Sequence, residues 1–320
     1  MSGDRNGELR TAPVRIRVPA TSANLGPGFD SFGLALGLYN EVVARVAEDG
    51  LAVEVVGEGA ETVRRDEHNL VVRAARAVFE HLGVRPRGLH LTCTNRIPHG
   101  RGLGSSAAAI VAGVIAAREL VVGGREKLPD DEALRLAAQL EGHPDNVAAC
   151  LLGGFTIVWE PQTAAPVGPR VLRLEPHPDL AAVAFISDQV AATAKTRRLL
   201  PERVPHRDAA RSAAHAAVLV AAITGRPELL FDATVDFLHQ PYRAPAMPES
   251  ARLVDRLRAE GIPAVISGAG PTVLVLADRD RADEVAAHPA PGFTTRRLDV
   301  DLRGARPIPE ADGGSPSERE

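Results

Sequence analysis

The chain has 320 residues, 45% hydrophobic and 24% charged, with a formal net charge of -4. That excludes a disordered chain and argues against a nucleic-acid footprint or a polybasic membrane surface. Of 37 basic residues only Lys127 and Lys195 are lysine, and neither follows a glycine, so the phosphate loop G-x-x-x-x-G-K-[ST] is excluded.

Aromatic residues make up 3%, so the core must be built from Ala, Val, Leu and Ile. Cys93 and Cys150 form neither a C-x-x-C pair nor a disulfide framework, which points to reduced thiols and no zinc site. The start, MSGDRNGELRTAP, lacks the apolar stretch of a signal peptide. No segment reaches the ~18 apolar residues of a membrane span. The expectation is a cytoplasmic protein that binds neither nucleic acid nor membrane.

In chain order, residues 1–12 are polar and read as a frayed terminus. Residues 14–18 and 51–56 alternate and carry β-branched side chains, as strands do. Residues 69–82 read as a helix that Asn69 can cap, and 89–94 as a strand. Residues 105–122 are too long and Ala-rich for a strand and predict a buried helix. A helix over 130–140 and a strand over 155–159 follow. The Pro/Gly-rich stretch 161–169 is the best domain boundary, dividing 13–165 from 166–303. Beyond it, strands are predicted over 180–186, 264–266 and 272–276, and helices over 208–224, 250–260 and 281–287. Residues 304–320 read as a second frayed tail. This mixed order favours α+β over a doubly wound sheet.

The densest motif is Pro98, His99, Gly100, Arg101, Gly102, Leu103, Gly104, Ser105, Ser106, Ala107 and Ala108. Alternate glycines let a backbone turn through positive φ and approach a ligand. Two serines then open a helix whose free N–H groups and dipole suit an anion. A triphosphate fits there with its charge met by backbone donors, and a serine hydroxyl can reach a Mg²⁺ bridging phosphates. An ordinary glycine-rich turn is the plain alternative. The second motif, residues 19–30, is a small-residue loop presenting one amide, Asn24, and one carboxylate, Asp30, which can accept from an ammonium or hydroxyl group. Its plain alternative is a structural turn with Asp30 as a helix cap.

The first string, P-x-x-x-G-L-G-S-S-A-A, resembles the ATP-binding signature of the GHMP kinase superfamily. The second, P-A-T-S-A-N-L-G-P-G-F-D-S-F-G, is similar to that of the homoserine kinases within it. So are E-G-H-P-D-N-V-A at 141–148 and H-Q-P-Y-R at 239–243, while S-G-A-G-P-T at 267–272 resembles the third GHMP motif. The resemblance spans nearly all of the folded chain.

The resemblance implies an α+β GHMP kinase fold. Its N-terminal domain would be ribosomal S5 domain 2-like and its C-terminal domain ferredoxin-like. It implies transfer of the γ-phosphoryl group of ATP to the side-chain hydroxyl of L-homoserine, in threonine biosynthesis. Another small-molecule GHMP kinase and a catalytically silent nucleotide-binding regulator are the other readings. By the family's pattern, Ser106 and Glu141 hold Mg²⁺, and Asn24 and Asp30 bind the ammonium or hydroxyl end of the substrate. Thr193, Arg197 and Arg243 complete the substrate site, the arginines gripping the carboxylate. The segment 192–197 departs from the family's S-T-K-x-A-R: Thr193 and Arg197 keep their places, but alanine stands at 192 and 194. Asn69 either helps hold adenine or is simply a cap. Asn146 stands where some relatives place a catalytic aspartate, so it would orient the hydroxyl while the proton passes to phosphate. Asp145 as base is the competing version. His143 is read as a loop residue that fixes local hydrogen bonds. Many such kinases dimerise, which makes a homodimer an expectation.

Overall fold

β1 (Val14–Ala23) and β2 (Phe32–Ala47) run antiparallel and pair along the whole length of β1. The structure is a computed structural model and describes residues 8–162, 168–190 and 196–309. β1 continues five residues past its predicted end at Val18, because Pro19 sits at a register shift between the strands. A proline, which has no N–H to donate, is tolerated at such an irregularity. β2 is a strand the sequence pattern did not reveal. Much of it is buried on both faces, so its residues show little inward–outward alternation.

Downstream come β3 (Gly50–Gly57), α1 (Leu70–His81), β4 (Gly88–Asn95) and α2 (Ser105–Leu120). They are followed by α3 (Gly124–Lys127), α4 (Asp130–Glu141), α5 (Pro144–Leu152), β5 (Phe155–Trp159) and β6 (Arg170–Leu174). Among the described residues these strands, with β11 (Arg306–Pro307), form one sheet in the order β11-β1-β2-β4-β3, with β5 joining β2 and β6 joining β5. α2 is buried nearly throughout, and its alanines let it pack closely against α1 and the sheet. α1 buries Val71, Val72, Ala74, Ala75, Val78 and Phe79 on one face and is capped by Asn69. α5 was not foreseen, because Pro144 looked like a breaker. At the first helical position proline costs nothing, since its missing N–H would be unpaired anyway.

The second sheet is antiparallel, in the order β10-β7-β9-β8. It is built from β7 (Leu180–Ser187), β8 (Ala264–Ile266), β9 (Val273–Asp278) and β10 (Phe293–Asp299). α6 (His206–Thr224), α7 (Leu230–Ala233), α8 (Gln240–Arg243), α9 (Pro248–Ala259) and α10 (Arg279–Ala286) accompany it. β6 and β10, both unpredicted, are edge strands whose exposed arginines mask the alternation.

Part of each end expected to fray is instead held in place. Leu9 bridges Val121, and Arg10 donates its N–H to Leu120 O at 2.8 Å. β11 (Arg306–Pro307), in the predicted tail, pairs with Ile16 and Arg17 of β1. Asp301 fixes this return. Its N–H bonds Ala35 O (3.0 Å) and its carbonyl accepts from Gly154 N (2.7 Å). Its carboxylate accepts from Tyr39 OH (2.8 Å) and Gly304 N (2.6 Å) and pairs with Arg306 (3.1 Å). These long-range bonds outweigh the polar composition of residues 304–309. Among the described residues no helix is long and apolar enough to cross a membrane.

Candidate active site

The loop between β4 and α2 is shaped by contacts that leave no room for side chains. Gly100, Gly102 and Gly104 all have positive φ (64°, 78° and 69°). A Cβ on Gly102 would come within 2.3 Å of Ser267 O, and one on Gly104 within 1.9 Å of Thr21 Oγ1. These two glycines let the loop press on β1 and on residues 267–272. Ser267 Oγ donates to Gly102 O (2.6 Å), Thr272 N–H to Arg101 O (3.2 Å) and Thr21 N–H to Leu103 O (3.1 Å). Gly104 caps α2 through its backbone alone, without a side chain. The first-turn N–H groups of α2 therefore face outward without intrahelical partners.

Two cavities meet at Ser105 and Ser106. One, of 230 Å³, is mainly apolar and lined by residues including Val42, Val55, Val63, Leu70, Cys93 and Ala108, with Asn40, Asn69, Asn95 and His99 at its polar points. Burial raises the Cys93 thiol to about 11 and lowers the basicity of His99, so both stand neutral there. The other, of 320 Å³, is polar and holds Asn24, Asp30, Glu141, His143, Asp145, Asn146, Arg197 and Arg243. At the junction Ser106 Oγ donates to Glu141 Oε1 at 2.5 Å. Glu141 is the last residue of α4, and burial pushes its carboxyl above the ordinary range, the Ser106 bond opposing. Among the described residues no group of three or more His, Cys, Asp or Glu side chains could hold a metal.

The polar cavity is built on a strained loop. Asn24, Leu25 and Asp30 have φ of 70°, 50° and 55°, the left-handed region that non-glycine residues rarely adopt. Asn24 is a strut between loops: its Nδ2 donates to Gly268 O (2.9 Å) and its Oδ1 accepts from Asp30 N–H (3.0 Å). Asp30 and Arg197 face each other as a forked ion pair, with Nη1 to Oδ1 at 3.3 Å. Arg243, on α8, is 2% exposed, and its Nε has no partner. Burial lowers its basicity, while Asp30 works against that shift. At the start of α5, Asn146 Oδ1 accepts from Thr21 Oγ1 (2.8 Å), and Asp145 Oδ1 accepts from the Asn146 N–H (2.7 Å). Asp145 is itself buried, and burial raises its carboxyl, with Asp30 adding to the effect.

The structure thus gathers Gly100, Gly102, Gly104, Ser105, Ser106, Glu141, Asp145, Asn146, Asn24, Asp30, Arg197 and Arg243 around one cavity. Other expectations change. Arg101 turns away: its Nε donates to Gln189 O (2.7 Å) and its Nη2 to Asp188 O (2.9 Å). Leu103 and Ala107 are core residues, and Pro98 lines neither cavity. Asn69 borders the apolar cavity, but its amide is committed to capping α1, through Val71 N–H (2.9 Å), and to Arg64 O (2.7 Å). Thr193 lies outside the described residues. The walls of the apolar cavity, Asn40, Val55, Val63 and Leu70, were missed. Asn40 in particular lies on the unforeseen β2, where its Oδ1 accepts the N–H groups of Arg96 (2.7 Å) and Ile97 (2.9 Å).

The profile of the GHMP kinases N terminal domain matches residues 69–154, and that of the GHMP kinases C terminal matches residues 216–289. The fold and these two matches define a GHMP kinase, the class that uses ATP as phosphate donor. Homoserine kinase from Streptomyces avermitilis is 59% identical over 303 residues, covering 95% of this chain and 98% of that protein. Its counterpart in Rhodococcus erythropolis is 46% identical over 90% of this chain and 93% of that one. The crystal structure of homoserine kinase from Cytophaga hutchinsonii superposes with a TM-score of 0.82 at 26% identity, over 94% of this chain and 98% of that chain. Mevalonate kinase from L. major shares the fold (TM-score 0.66, 17% identity, 95% of this chain and 100% of that chain). The chain belongs to the homoserine kinase family of the GHMP kinases.

Proposed function

We propose that the chain transfers the γ-phosphoryl group of ATP to the side-chain hydroxyl of L-homoserine, giving O-phospho-L-homoserine and ADP, a step of threonine biosynthesis. One observation carries this reading. Ser105 and Ser106 border both an apolar cavity and a polar one whose charges match an amino-acid zwitterion. Adenine occupies the apolar cavity, held by its walls rather than by the Asn69 amide. The phosphates lie across the start of α2, where backbone N–H groups meet their charge. Substrate ammonium and carboxylate replace the Asp30–Arg197 pair, each charge exchanging one partner for another. Arg243 supplies the second grip on the carboxylate.

Ser106 and Glu141 would hold Mg²⁺: two hard oxygens suit an ion that takes its other ligands from phosphate and water. When bound, the ion neutralises charge on the phosphates during transfer. In the reaction the substrate oxygen bonds to the γ-phosphorus, the bond from that phosphorus to the β,γ-bridging oxygen breaks, and the hydroxyl proton passes to the transferred phosphoryl group. Asn146 orients the hydroxyl. Asp145 fixes Asn146, since its Oδ1 already accepts the Asn146 N–H.

With saturating Mg-ATP and L-homoserine, O-phospho-L-homoserine is the expected product, identified by mass spectrometry. Mevalonate, galactose and shikimate should yield none. Absence of phosphohomoserine sinks the assignment. Asn146→Asp should lower turnover about ten-fold or more, because a carboxylate beside buried Asp145 repels it and the phosphates. Faster turnover at neutral pH would mean that base strength limits the reaction and that direct transfer to phosphate is wrong.

A further inference from the structure

His239 is fully buried and plays no part in the steps above. It precedes α8, and its carbonyl accepts the N–H of Arg243 (3.0 Å). Its Nε2 lies 2.8 Å from Gly26 O, in the loop that presents Asn24 and Asp30. A carbonyl only accepts, so Nε2 carries the proton. Its Nδ1 lies 3.4 Å from Arg243 Nη1, which only donates, so Nδ1 presents a lone pair. One neutral tautomer meets both demands, and an imidazolium would set N–H against guanidinium.

The surroundings favour that neutral form. Burial and the nearby Arg243 charge hold the His239 pKa below its ordinary value, while Asp236 and Asp30 push the other way. Asp236 is bound mainly to backbone: its carboxylate accepts the N–H groups of Leu238 (2.8 Å), His239 (3.0 Å) and Gln240 (2.7 Å), while its Oδ2 stands 3.5 Å from Nε2. Phe29 stacks on the imidazole, with ring centres 5.1 Å apart. The guanidinium carbons of Arg243 and Arg197 lie 5.3 Å and 5.8 Å from the Phe29 centre. Arg243 has few other polar anchors: Nη1 reaches Gly268 O at 3.3 Å, and Nε has none.

We infer that His239, as its Nε2–H tautomer, is a positioning residue that sets the span between the Asp30 loop and Arg243, and with it the fit of the amino-acid end of the substrate. This rests on the homoserine reading above. His239→Gln and His239→Asn separate its two contacts. A glutamine amide can donate to Gly26 O, but then places a methylene rather than an acceptor at the position of Nδ1 facing Arg243. An asparagine oxygen can stand near the place of Nδ1 and accept from Arg243.

The experiment measures kcat and both KM values for the wild type and the two variants, with thermal melting as the folding control. His239→Gln should raise the KM for L-homoserine about ten-fold, the cost of a hydrogen bond to a charged group, with kcat and the KM for ATP within about two-fold. His239→Asn should bring the homoserine KM back to within about three-fold of wild type. Equal loss of kcat and melting temperature in both variants, with the homoserine KM unmoved, would reduce His239 to a packing residue and overturn the inference. ¹⁵N-histidine NMR of the wild type tests the tautomer without depending on a folded glutamine variant, the asparagine variant identifying the resonance. A protonated Nδ1 at neutral pH would overturn the inference too. A wild type that makes no phosphohomoserine removes the homoserine reading and this inference with it, whereas normal wild-type turnover with an unchanged KM in His239→Gln removes only the inference.

Discussion

Glu141→Gln is expected to lower kcat by about 10³-fold, roughly 4 kcal/mol of transition-state stabilisation, while leaving the fold and the KM for L-homoserine nearly unchanged. The reason lies in where the carboxylate stands. It is buried enough that its charge is disfavoured, it closes α4, and it accepts a 2.5 Å bond from Ser106 at the start of α2. Phosphates gathered at that helix start would repel an uncompensated carboxylate. The arrangement suits a cation placed between them. Glutamine keeps the size and still accepts from Ser106, but it removes the negative charge that draws the ion. The measurement is kcat at rising Mg²⁺ with circular dichroism as the control. A variant with wild-type kcat at every Mg²⁺ concentration would take Glu141 out of the metal site.

Arg243→Leu should raise the KM for L-homoserine on the order of 10²- to 10³-fold and lower kcat/KM at least as much. Arg243 is 2% exposed and keeps an unpartnered buried Nε, a donor suited to a carboxylate oxygen. Leucine fills much of the stem's volume, yet it leaves the substrate carboxylate buried without its counter-ion, which is the costly half of breaking such a pair. Steady-state kinetics with varied homoserine read the effect, and the KM for ATP should stay put. A change of less than about three-fold in the homoserine KM would assign the carboxylate to Arg197 alone.

How much of this was legible in the residues varied with the physics of each segment. The Asn69 cap, the Ala-rich α2 and the strand at 155–159 were readable because local propensity and tertiary packing ask for the same thing. β2 was not, since Gly33 and Gly37 look like loop residues and much of the strand is buried on both sides, which removes the alternation that betrays a strand. α5 was hidden behind Pro144. The polar cavity was readable in outline, because its residues come in dense motifs. What those motifs could not reveal was how the side chains engage one another. Asn24 ties two loops together, Arg101 anchors residues 188 and 189, and Asp30 faces Arg197. Each depends on a partner far along the chain, and local pattern carries no information about it. The apolar cavity was the least legible, since Val55, Val63, Leu70 and Cys93 are ordinary core residues anywhere else.

The return of the chain at Asp301 has a consequence for how the protein is made. Ala35, Tyr39 and Gly154 each bond Asp301, a residue synthesised long after them, and Ile16 and Arg17 of β1 gain their β11 partners later still. A nascent chain that has emerged through β6 carries the glycine-rich loop and most of the first sheet, yet β1 still presents an open edge to the crowded cell. Completion of the first sheet therefore waits until β11 has been synthesised. The two sheets are not beads that mature in turn on the ribosome; the closing stitch of the first follows the last strand of the second.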